Sequence, residues 1–108
     1  MPSLIATVML QEVTNEEIYN ELDLAMADEG GYPYITDADD KIFALLPDQY
    51  EFEVDASAAE VLNAIKLICA TLEKNHNLPK TPVLVYEVSD LKYTNLQELS
   101  DDNFQTLN

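Results

Sequence analysis

The chain has 108 residues, with 21 acids against five lysines and no arginine, for a formal charge of −16. That surface repels phosphate backbones and anionic lipid, so direct DNA binding is not expected, RNA binding is disfavoured and no membrane partner is expected. An apolar content of 47%, with two glycines and five prolines, excludes a low-complexity chain and leaves one folded domain.

Residues 4–10, Leu-Ile-Ala-Thr-Val-Met-Leu, form an apolar, β-branched run without a polar face, which predicts a central strand. Thr14 and Glu17 have the spacing of a capping box, and Ile18, Leu22, Ala25 and Met26 then recur at helical spacing. Gly30-Gly31 ends that helix. Residues 32–36 read as a second strand, which Pro33 confines to a sheet edge or a strand start. A polar loop opens at Asp37, and residues 42–47 extend the hairpin or pack as a flap. Tyr50-Glu51-Phe52-Glu53-Val54 alternates strictly, so its acids are expected in water and its aromatics in the core.

Ser57 and Glu60 form a second capping box ahead of a wide stripe: Val61, Leu62, Ile65, Ile68, Cys69 and Leu72. The helix stops near Asn75-His76-Asn77, and residues 83–88 are the last strand. That strand is apolar on both faces. Residues 1–88 therefore make an α+β, ferredoxin-like β-α-β-β-α-β domain, one antiparallel sheet in order 4-1-3-2 with both helices on one face. Residues 89–108 are a polar C-terminal tail with scattered Leu91, Leu96, Leu99, Phe104 and Leu107, docked or ordered on a partner. A homodimer or this tail is expected to cover the open sheet face or an edge.

Charge is unevenly spread. Residues 1–60 hold 15 acids and one lysine, a net of −14, whereas residues 61–108 hold six acids and four lysines, a net of −2. Asp28 and Glu29 also stand at the C-terminus of the first helix, where the macrodipole disfavours anions.

Catalytic apparatus is not visible. Counting from Asp37, the fifth and sixth positions of a calcium loop are Lys41 and Ile42, so that motif fails. Cys69 and His76 lie about two helical turns apart, too far for a nucleophile–base pair. His76 instead complements the helix end, and Cys69 lies in the apolar stripe. Gly30-Gly31 does not open a helix and makes no phosphate cradle. Catalytic residues, metal ligands and cofactors are accordingly not expected. A lone cysteine excludes an internal disulfide and suits a reducing, cytoplasmic setting. Met1-Pro2-Ser3-Leu4 lacks the basic start of a signal peptide.

Residues 32–67 resemble the antitoxin family of type V toxin–antitoxin systems. The shared features are the aromatic-led strand, the Leu46-Pro47 turn, Tyr50-Glu51-Phe52 and the helix opening Ser57-Ala58-Ala59-Glu60. The resemblance implies a small ferredoxin-like protein that cleaves the messenger of a membrane toxin. Related CRISPR-associated nucleases place a metal-holding aspartate at the end of the first strand, where this chain reads Leu10-Gln11-Glu12. The resemblance thus implies one alternative, a metal-assisted endoribonuclease drawing on Glu12 and the residue 37–40 loop. A second alternative is an accessory subunit without separate activity.

The favoured reading is an acidic module that binds a basic protein. Its expected flank is Glu17, Glu21, Asp28 and Glu29 from the first helix, with Asp37, Asp39, Asp40, Glu51 and Glu53 from the hairpin.

Overall fold

Ser3–Val8 forms β1, the strand expected from its apolar run. In a computed structural model that describes residues 3–99, it lies in the interior of a sheet. Helix α1 spans Glu16–Asp28 and is capped by Asn15, whose side chain accepts from the Glu17 N–H at 2.9 Å. The cap therefore falls one residue beyond the Thr14 box read from sequence. Asparagine is among the strongest N-caps, and the local competition goes to it.

The helix ends at Glu29, followed by Gly30 at φ +89. Gly31 begins β2, Gly31–Tyr32, and β3 follows as Tyr34–Thr36. The single strand expected over residues 32–36 is thus two strands. Pro33 has no N–H for a ladder, and the chain changes sheets there. Ile42–Ala44 forms β4 and Gln49–Phe52 forms β5. Ser57 and Glu60 exchange both capping-box bonds at the start of α2, Ala58–His76, which ends on Asn77 in the left-handed region. Val83–Val88 is β6 and Glu98–Leu99 is β7.

The described residues form an α+β fold, with two helices and two antiparallel sheets among them. One sheet has four strands in the order β2-β5-β1-β6, and the other has three in the order β3-β4-β7. The second sheet corrects the expectation of one sheet. Its strands have three, three and two residues, too short to print a period-2 pattern in the sequence. It also takes in Glu98–Leu99 from the C-terminal segment, while the expected tail contacts of Phe104 and Leu107 lie outside the described residues.

Leu4, Ala6 and Val8 of β1 and Tyr50 and Phe52 of β5 form one buried cluster with both helices. From the helices come Ile18, Leu22 and Met26, with Val61, Ile65, Cys69 and Leu72. Alternation sends Ile5 and Thr7 to the opposite face. Across the core, the Tyr50 hydroxyl donates to Asp23 Oδ1 at 2.5 Å, tying β5 to α1. Burial raises the Asp23 carboxyl above its ordinary range, an effect the Tyr50 bond opposes. Burial, then the Asp23 bond, raises the Tyr50 phenol far above its own range. Tyr50→Phe is expected to lower stability by about 1–2 kcal/mol at neutral pH, read by urea unfolding, because it strips a half-buried carboxylate of its donor. An unchanged midpoint would show that water replaces the phenol at no cost.

Candidate functional site

The strand register sets one row of side chains on the sheet face that the helices leave open. Tyr32 of β2 is opposite Glu51 of β5, Glu51 is opposite Ile5 of β1, and Ile5 is opposite Tyr86 of β6. The next row carries Gln49, Thr7 and Leu84. Ile5 is only 2% exposed, whereas Tyr32 and Tyr86 are each 40% and Leu84 62% exposed. A central apolar residue is thus flanked by a carboxylate and by partly exposed rings.

At the β2 end of this row is a cleft of about 320 Å³. Tyr32 and Tyr34 line it together with Glu51, Glu53 and Val54. The two rings lie 5.3 Å apart between centroids and are tilted by 36°. Pro33 permits this, because the turn between β2 and β3 puts successive tyrosines from two sheets against one opening. Gly30 and Thr36 complete the lining.

Glu51 is the chemically distinctive group. Burial, with repulsion from Glu53 two residues on, pushes its carboxyl from 4.5 up to about 7. This corrects the expectation that both acids of the alternating strand simply face water. Glu51 is half-buried and Glu53 exposed. Burial, then Tyr32, raises the Tyr34 phenol above its ordinary value of 10.0, so that hydroxyl stays protonated at neutral pH. The cleft therefore offers aromatic faces, a neutral phenol and a carboxyl that gains or loses its proton near neutrality. Such a lining suits a cation, which the ring faces and the ionised carboxylates both attract.

No protein-family model matches the sequence, and no curated protein matches it.

The acids read from the sequence are distributed as follows. Glu51 and Glu53 line the cleft. Exposed Asp28 and Glu29 directly precede its Gly30 wall, and Asp37 directly follows its Thr36 wall. Asp37 is used locally, its Oδ1 accepting from the Asp39 and Lys41 N–H groups at 2.9 Å each. That bonding shapes the β3–β4 turn and leaves Asp39 and Asp40 exposed at its tip. Glu17 sits in the opposite end turn of α1, roughly 18 Å from Glu29 by helical rise. Glu21 is engaged elsewhere, its Oε2 lying 3.1 Å from His76 Nε2 and linking the two helices.

Cys69 is buried, and burial followed by Glu73 pushes its thiol up to about 11, so it is a thiol at neutral pH. Exposed Glu12 lies in the loop after β1 with φ 59. Among the described residues, no group of three or more His, Cys, Asp or Glu side chains could hold a metal ion. No helix among them is long and apolar enough to cross a membrane. Sequence reasoning missed the pairing of Tyr32 and Tyr34 with Glu51. Its only local signals were Pro33 between two tyrosines and the Glu-x-Glu of β5.

Proposed function

We propose that the chain is an acidic protein-binding module whose cleft takes a lysine or arginine side chain of a basic partner. The observation that carries this reading is Glu51 within the tyrosine-walled cleft. A carboxylate that ionises at a desolvation cost gains most when a cation enters beside it, since the cation offsets that cost. Tyr32 and Tyr34 add ring faces, and the nearby Asp28, Glu29, Asp39 and Asp40 steer a basic surface toward the opening.

For the domain, the proposal is a ferredoxin-like course through β1, α1, β2, β5, α2 and β6. Its support is the sheet order, which reads 4-1-3-2 from the β6 edge when only these four strands are numbered. Strands β3, β4 and β7 are then an addition to that core.

Titration calorimetry with hexalysine and hexaarginine peptides at pH 8 tests the binding reading. Binding is expected to weaken steeply with salt. It should fall about tenfold in Glu51→Gln and in Tyr32→Ala, in line with one lost ion pair or cation–ring contact. Glu17→Gln, at the far end of α1, should have little effect. Peptide binding that ignores Glu51 and Tyr32 would reduce the cleft to a solvated notch. Magnesium-dependent cleavage of single-stranded RNA, lost in Glu12→Gln, would favour the endoribonuclease instead.

A further inference from the structure

We infer that β6 is a self-complementary edge through which two copies of the chain join their four-stranded sheets. The argument begins with hydrogen-bond parity. Met9 N donates to Pro82 O at 3.1 Å, which marks a hydrogen-bonded position in the β1–β6 ladder. Antiparallel alternation then turns the N–H and C=O groups of Leu84, Tyr86 and Val88 toward β1. Those of Val83, Val85 and Glu87 point off the edge, where no described strand pairs with them. A six-residue edge strand whose outward groups no described strand pairs, with no proline or lysine inside, is a template for another strand.

A second copy fits this template. With a two-fold axis through Val85, Val85 meets its own equivalent and Val83 meets Glu87. Each such pair exchanges both backbone bonds. Leu84 and Tyr86, both exposed on the open face, fall opposite each other at the non-hydrogen-bonded positions, where side chains come closest. The unpaired backbone and the exposed apolar side chains are thus satisfied by one symmetry operation.

Charge selects the same occupant. The chain carries −16, so two copies repel across most of their surfaces. Residues 80–92 hold Lys80, Glu87, Asp90 and Lys92, a net of zero. The two-fold also brings the Lys80 end of one β6 beside the Asp90 end of the other. A strongly basic partner finds no excess of acids here, whereas an identical edge finds a matched one.

Sedimentation velocity across a concentration series, with amide exchange followed by NMR, tests the inference on the full chain. A reversible dimer is expected, with the amides of Val83, Val85 and Glu87 becoming protected as it forms. Those of Leu84, Tyr86 and Val88 should be protected in monomer and dimer alike. Leu84→Glu, at an exposed position, should fold normally and weaken association at least about tenfold, having lost two cross-strand pairs and gained like charge. A monomer at every concentration would overturn the inference. So would a dimer that leaves the three outward amides exchanging freely, or one indifferent to Leu84→Glu.

Discussion

Gly31→Ala is expected to destabilise the protein by about 2–3 kcal/mol, an overpacking penalty in a closely filled core. A Cβ at Gly31 would collide with the ring of Phe52, one of the largest fully buried side chains. Gly31 is paired with Phe52 in the β2–β5 register, so neither backbone can retreat without breaking the edge ladder. Gly30 differs. Its φ of +89 makes an alanine conformationally strained, and its Cβ would approach Val54 Cγ1 at 2.9 Å. Gly30→Ala should cost about 1–2 kcal/mol, mainly from that backbone strain. Urea unfolding of the two variants side by side separates the roles. Equal losses would mean that both glycines merely end the helix.

Glu51→Gln is expected to stabilise the protein at pH 8 while weakening cation binding. The unfolded carboxyl titrates near 4.5 and the folded one at about 7. Between those values the folded state holds more protons, so stability falls as pH rises through the interval. Below about 4.5 both states are protonated and Glu51 costs nothing; above about 7 the full cost is present. For a fully desolvated carboxyl this gap is worth about 3 kcal/mol. Glu51 remains partly exposed, and solvent screening reduces the figure to about 1–2 kcal/mol. The variant should therefore gain about 1–2 kcal/mol at pH 8 and almost nothing at pH 4, measured by thermal or urea unfolding. A gain independent of pH would place its cause in packing rather than ionisation. Stability given up by a residue that lines a cleft is what a binding role for Glu51 requires.

Several elements were legible because their information is local. The β1 run, the Ser57–Glu60 box, the α2 stripe and the alternation of Tyr50 and Phe52 each depend on near neighbours in sequence. Cap competition at Asn15 lies at the limit of such reading, since Thr14 and Asn15 both offer a side-chain oxygen. The acidic bias of the first 60 residues was also legible, as a matter of counting.

Tertiary structure alone decided what those residues meet. Pro33 signals that a ladder is interrupted, but only the pairing of β4 with both β3 and β7 makes the interruption a second sheet. Asp23 and Tyr50 are 27 residues apart, and Glu21 and His76 are 55 apart, so no spacing rule foretells either contact. Glu51 is the sharpest case. Its alternating strand marks it as facing away from Phe52, and that is correct. Whether that outward side is water or a half-closed cleft depends on Tyr32, Tyr34 and Ile5, brought in by three other strands. A side chain's direction follows from its own backbone, whereas its desolvation is set by atoms distant in sequence.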